Sequence, residues 1–139
     1  MTRQRAKAIK GYAALAPLLR FNEQGLMPAV IQDRKTKRVL TLCYLNAEAI
    51  KRSLAEGTVY IFRRSQQRLM LKGETSGHIQ VIRRVELDCE GKSLLLQVDQ
   101  RVAGCHAGYL SCYYRGLNRA GALAPGERRV FDPAKVYTA

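Results

Sequence analysis

The chain has 139 residues, 47% of them hydrophobic and 25% charged, so it can bury a core of its own as one domain and has a globular composition. No apolar run approaches the ~20 residues that a membrane-spanning helix needs, which excludes an integral membrane protein of that kind. Twenty-four Lys and Arg against 11 Asp and Glu leave a formal net charge of +13, which calls for a polyanionic partner or an anionic substrate; nucleic acid and phosphorylated metabolites both qualify.

The opening MTRQRAKAIKGYAALAPLL has the basic start and apolar stretch of a signal peptide, but Tyr12 and Pro17 interrupt the apolar part, Arg20 follows closely and no small-residue cleavage site is evident. A cytoplasmic chain with a basic extension over residues 1–24 is the reading adopted. Residues 1–20 carry no acid and read as a loosely ordered helix or a tail, in which Pro17 ends or kinks the helix. The runs MPAVIQD (27–33) and RVLTLCY (38–44) are apolar and β-prone around polar residues 34–37, which predicts a hairpin. Asn46 can cap a helix over residues 47–56 that presents Ala47, Ile50 and Leu54 on one face, with Glu48 suited to the helix dipole and Gly57 at its end.

TVYIF (58–62) reads as a strand and RRSQQR after it as a polar, basic loop. In HIQVIRRVELDC, Ile79, Val81, Val85, Leu87 and Cys89 share one parity, with Arg83 the exception, while Gln80, Arg84, Glu86, Asp88 and Glu90 share the other. That predicts a strand whose end sends Cys89 to one side and Asp88 and Glu90 to the opposite side. Gly91 and Lys92 then turn the chain into SLLLQVDQ (93–100), apolar at Leu94, Leu96 and Val98, for a second antiparallel strand. From Gly116 the chain is rich in Gly, Ala, Arg and Pro and reads as irregular.

Residues 72–115 hold the chemistry: KGETSGH, then DCEG, then GCHAGYLSCYYR. Both histidines and three of the four cysteines fall there, beside the acidic pair Asp88 and Glu90. Cys89, Cys105 and Cys112 lack the paired C-x-x-C spacing of a zinc ribbon, but three ligands are the composition of an open zinc site, in which a water takes the last position and is acidified. His106, next to Cys105, is placed to move that water's proton. Buried free cysteines and a hydrogen-bonded surface histidine are the plainer reading of the same residues. In a reducing compartment, unevenly spaced cysteines near a histidine point to metal binding or catalysis rather than to two disulfides.

The runs GLMPAVIQD, YLN, KGETSGHIQ, DCEG and CHAGYLSCYYR, with FDPAKVY in the tail, closely resemble the phosphoribosyl-AMP cyclohydrolase family of histidine biosynthesis, in order over residues 25–115. The resemblance implies a compact single α+β domain, mostly antiparallel sheet with few helices, in an intertwined homodimer with active sites at the subunit interface. It divides the chain into the basic extension 1–24, a cyclohydrolase-like domain 25–115 and a tail 116–139 packing on that domain. It implies Zn²⁺ held by Cys89 of one subunit and by Cys105 and Cys112 of the other, with His106 catalytic. It maps the family's acidic Mg²⁺ cluster onto Asp88, Glu90 and Lys92. A phosphorylated nucleotide would be the substrate, and hydroxide addition at C6 would break the N1–C6 bond of phosphoribosyl-AMP. Arg63, Arg64 and Lys72 suit its phosphates, Ser65 belongs to the same family motif as the two arginines, and Glu74, Thr75, Ser76, Gly77 and His78 match the substrate loop.

The chain also departs from the family. DCDxD is here Asp88-Cys89-Glu90-Gly91-Lys92, with a cation in place of the third carboxylate, which disfavours Mg²⁺. SRSR is Arg63-Arg64-Ser65-Gln66, the LW before KGE is Leu69-Met70, and Tyr109-Leu110 replaces a polar pair. Cys43 stands where the family has a small residue and is expected to be a buried thiol without a metal role. Two other readings follow: a diverged paralogue acting on a related phosphorylated N-ribosyl heterocycle, and a zinc-stabilised, non-catalytic nucleic-acid-binding module. The second has no basic stripe and no interleaved aromatics in its favour.

Overall fold

The computed structural model describes residues 6–137, so the first basic residues, Arg3 and Arg5, lie outside it. A single helical turn, α1 (Tyr12–Leu15), runs into a 3-10 turn at Ala16–Leu18 that contains Pro17. This segment is strapped down at both ends, where the Ile9 N–H donates to the Leu54 carbonyl at 2.7 Å and the Arg20 N–H to the Gly91 carbonyl at 2.8 Å. Ile9, Tyr12, Leu15, Leu19 and Phe21 pack on the core.

The hairpin expected from sequence is present as β1 (Met27–Asp33) and β2 (Val39–Leu45), antiparallel. Its turn is closed by the Asp33 carboxylate, which accepts from the Thr36 N–H at 2.9 Å and hydroxyl at 2.7 Å. Helix α2 (Ala47–Glu56) also matches, with the Asn46 side chain accepting the Ala49 N–H at 2.8 Å and Gly57 ending the helix. Its buried face is Ala49, Ile50, Ser53 and Leu54; Ala47 is exposed, because the first residue after the cap projects away from the sheet.

The loop expected over residues 63–68 is shorter than that, because Arg63 ends β3 (Tyr60–Arg63) and Arg68 begins the next strand. A 3-10 turn at Arg64–Gln66 leads into β4 (Arg68–Leu71), and the two strands form an antiparallel ribbon. β5 (Gln80–Leu87) and β6 (Leu94–Gln100) are the antiparallel pair expected, and the main sheet runs β2-β1-β6-β5 with only β1 and β6 parallel. The molecule is thus α+β, mostly antiparallel, with few helices. Met27, Ala29 and Ile31 of β1 and Leu94, Leu96 and Val98 of β6 are buried together with Ile50 and Leu54 of α2 in the core.

Two expectations for β5 are corrected. The register shifts between Ile82 and Arg84, so Arg83 is a bulge and the core-facing parity passes from Ile82, opposite Val98, to Val85, opposite Leu96. Val81, paired with Asp99, falls on the other face from Val85, although the sequence alternation had put them together. The strand also ends at Leu87, and Cys89 sits on an exposed turn, so strand parity does not set its direction or that of Asp88 and Glu90. That turn needs Gly91, which has φ +72° and lies so close under the Leu18 carbonyl oxygen that a Cβ would clash. The tail is not wholly irregular: β7 (Arg115–Leu117) and β8 (Leu123–Pro125) form a small exposed hairpin, and α3 (Pro133–Val136) adds one helical turn. Among the described residues, no helix is long and apolar enough to cross a membrane.

Candidate active site

A cleft of about 880 Å³ opens between β2, the β3–β4 ribbon, the loops 72–79 and 101–112, and α3. The first loop hangs between fixed points. The Lys72 N–H donates to the Val59 carbonyl at 2.9 Å, Gly77 closes back on the Gly73 carbonyl at 2.7 Å, and the His78 N–H is held by the Ser76 hydroxyl at 3.1 Å. Lys72, Glu74, Thr75, Ser76 and His78 line the cleft, while Gly77 serves the loop's closure.

The second loop is a compact hairpin tied to β2. The Gly104 N–H donates to the Leu110 carbonyl at 2.8 Å, the Cys112 N–H to the Leu40 carbonyl at 2.7 Å, and the Ser111 hydroxyl to the Val39 carbonyl at 2.6 Å. His106 is exposed at its tip and faces the cleft. The two loops are joined by a pair of amides: the Gln80 Nε2 donates to the Gln100 Oε1 at 2.6 Å, and the Gln100 Nε2 donates to the carbonyls of His78 at 3.0 Å and Ala103 at 3.2 Å. Sequence reasoning missed both glutamines; the available signal was a polar residue at the start of β5 facing another at the end of β6.

Cys105 is buried, its sulfur accepting the Ala107 N–H at 3.4 Å, and Cys112 lies within hydrogen-bond reach of it at the cleft wall. Desolvation pushes the Cys112 thiol up, opposed by the Thr41 hydroxyl and reinforced by Cys105. Cys43 is buried as expected, and burial pushes its thiol up to about 11 against the pull of the Lys72 ammonium. His78 is pushed down, by burial alone.

Not all the expected site residues meet. Arg63 lines the cleft, but Arg64 and Ser65 open onto a different cavity of about 730 Å³ beside Asn46 and Phe62. The cause is the 3-10 turn that begins at Arg64 and reverses the chain, with the Arg64 guanidinium stacked 4.0 Å over the Tyr44 ring. Glu74 is ion-paired with Arg68. Cys89 is exposed on its turn, and among the described residues no three His, Cys, Asp or Glu side chains of the one chain converge on a metal position.

The chemistry of the donor set nevertheless suits a thiophilic ion: two neighbouring sulfurs, of Cys105 and Cys112, and a third, that of Cys89, exposed on its turn. It does not suit Mg²⁺. The Asp88 carboxylate is spent on its own turn, accepting the Ser93 hydroxyl at 2.7 Å and the N–H groups of Lys92 at 2.8 Å and Glu90 at 3.1 Å, contacts that hold it below the usual carboxylate range. Glu90 is paired with the Lys92 ammonium at 3.1 Å.

The C-terminal segment also reaches the cleft, where Pro133, Ala134 and Tyr137 form part of the wall. These residues were not expected in the site, although they belong to the FDPAKVY run noted in the sequence. Taken together, the cleft offers two cations for an anionic group, two imidazoles for proton transfer and, at its wall, the Cys112 thiol with Cys105 buried behind it.

A family model described as phosphoribosyl-AMP cyclohydrolase matches residues 41–114. The chain is 42% identical over 119 residues to the phosphoribosyl-AMP cyclohydrolase of Pelotomaculum thermopropionicum, covering 86% of this chain and 92% of that one. It is 44% identical over 121 residues to that of Desulforapulum autotrophicum, covering 86% and 97%. It is also 44% identical over 121 residues to the histidine biosynthesis bifunctional protein HisIE of Thermoanaerobacter pseudethanolicus, spanning 87% of this chain but 56% of that longer protein.

Proposed function

Because the chain belongs to the phosphoribosyl-AMP cyclohydrolase family, enzymes that hydrolyse a cyclic amidine, we propose that it uses zinc to open the purine ring of phosphoribosyl-AMP between N1 and C6 in histidine biosynthesis. The observation that carries this reading is the single cleft that gathers the 72–78 loop, His106 and Cys112.

Arg63 and Lys72 take the terminal phosphates, since a guanidinium and an ammonium on one wall supply the several charge-assisted donors that phosphate needs. Thr75, Ser76 and His78 orient the nucleoside above the second loop. His106, exposed at the loop tip, takes a proton from the attacking water and returns one to N1 as the N1–C6 bond breaks, so the water oxygen ends as the carboxamide oxygen. Cys105 and Cys112 of one subunit and Cys89 of another would hold zinc, which would acidify water so that this attack is feasible at neutral pH. No step is assigned to Mg²⁺. We place the activity in the cytoplasm, where thiols that must stay reduced to hold a metal persist.

The test is to incubate the zinc-loaded protein with phosphoribosyl-AMP and follow the absorbance of the ring-opened product. Turnover that falls about a hundredfold or more on chelation and returns with zinc is the expected result. Absence of turnover under every metal condition would overturn the reading and favour a related phosphorylated N-ribosyl heterocycle as substrate.

A further inference from the structure

The C-terminal segment grips both loops of the cleft at once. The N–H groups of Val130 and Phe131 donate to the Gly108 carbonyl at 2.7 and 3.4 Å, two residues beyond His106. Gly108 has φ +99°, and a Cβ there would stand 2.6 Å from the Phe131 carbonyl oxygen, so the close approach requires glycine. The Phe131 ring meets the His78 imidazole edge-on, with centroids 4.8 Å apart at 82°, and Tyr137 stands 6.3 Å beyond it. Asp132 then caps α3 through the Ala134 N–H at 3.0 Å, which delivers Pro133, Ala134 and Tyr137 to the cleft wall.

We propose that Phe131 is a positioning residue of this cleft: its ring holds the His78 imidazole while its backbone holds the loop of His106, so that the C-terminal segment sets the spacing between the two walls that clasp the substrate. The inference rests on the reading of this cleft as the cyclohydrolase site. An edge-on aromatic contact has a preferred geometry that a merely apolar side chain of similar bulk does not reproduce. The same ring excludes water from one side of the imidazole, in keeping with the burial that lowers its affinity for a proton.

The experiment compares Phe131→Ala, which uncovers the imidazole, and Phe131→Leu, which keeps apolar bulk without the ring, with Phe131→Tyr, which keeps the ring, in the zinc-loaded full chain. The chain has two histidines, so the imidazole C2–H signals can be titrated by NMR and assigned with a His106→Gln variant. In Phe131→Ala the His78 titration should move up toward its ordinary value as the burial is lost, and in both Phe131→Ala and Phe131→Leu KM for phosphoribosyl-AMP should rise about tenfold, with kcat less affected. Phe131→Tyr should keep both as in the parent, and melting midpoints close to the parent's separate this from simple unfolding. If His78 in Phe131→Ala titrates as in the parent, or KM in Phe131→Leu is unchanged in an active enzyme, the proposal is overturned while the cyclohydrolase reading stands. If the parent shows no turnover, that reading fails instead, and the His78 titration alone decides the role of Phe131.

Discussion

Four cysteines occupy four environments. Cys43 is buried with its thiol pushed up to about 11, Cys105 is buried beside Cys112, Cys112 faces the cleft, and Cys89 is exposed on a turn. A metal takes the thiolate, so the thiol hardest to ionise is the poorest ligand. Cys43→Ala should therefore cost stability, on the order of 1 kcal/mol for the lost buried sulfur, and leave zinc content and affinity unchanged by metal analysis. A large loss of affinity would instead make Cys43 a fourth ligand and the zinc structural. Lys92 carries the second prediction at this scale. Its ammonium neutralises Glu90 and leaves the turn no open cluster of carboxylates. Turnover by the parent should depend on zinc and little on added Mg²⁺, whereas Lys92→Asp, which removes the ion pair and supplies a third acid, should create a Mg²⁺ requirement; strong Mg²⁺ activation of the parent would contradict this. The position of Cys89 within DCEG was legible in sequence. Its environment was not, because the end of β5 is decided by the turn that Asp88 caps.

Among the elements, β6 is tied to its neighbours by one carboxylate. Asp99 accepts from the Arg34 Nε, beyond the end of β1, at 3.0 Å and from the Arg83 Nε, at the β5 bulge, at 2.7 Å. Burial alone would raise its pKa, but the two guanidinium hydrogen bonds outweigh that and hold the carboxyl below the usual range. A carboxylate whose folded pKa is depressed adds stability that is complete above its unfolded value, about 4, and is lost as pH falls through the folded one. Asp99→Asn should thus cost about 1–2 kcal/mol at pH 7, discounted for partial exposure, and flatten the loss of stability on acidification, as read from urea midpoints at both pH values. An unchanged acid limb would show that other carboxylates dominate it. The β1–β2 hairpin and α2 were legible because alternation, a turn and an Asn cap are local signals. Strand β4 and the bulge at Arg83 were not, since a four-residue strand is too short to show alternation and a bulge is fixed by its partner strand.

For the whole molecule, the proposed zinc site requires Cys89 of one subunit to meet Cys105 and Cys112 of another, since among the described residues no three metal-ligating side chains of one chain converge. Mixing unfolded Cys89→Ser and Cys112→Ser chains and refolding them with zinc should restore about a quarter of the parent's zinc and activity, because only a mixed dimer rebuilds one intact site. Each variant alone should bind none, and failure to complement would argue that the three ligands belong to one chain. The sequence by itself determined the family, the order of the main strands along the chain and the capped helix, because these reside in motifs and short periodicities. Only the tertiary structure decided that Arg63 faces the cleft while Arg64 and Ser65 leave it, that the N-terminal segment straps the core, and that the FDPAKVY tail packs on His78 and Gly108. Those facts follow from where a chain reversal points a side chain and from contacts between residues far apart in sequence, and neither leaves a mark on the local pattern of residues.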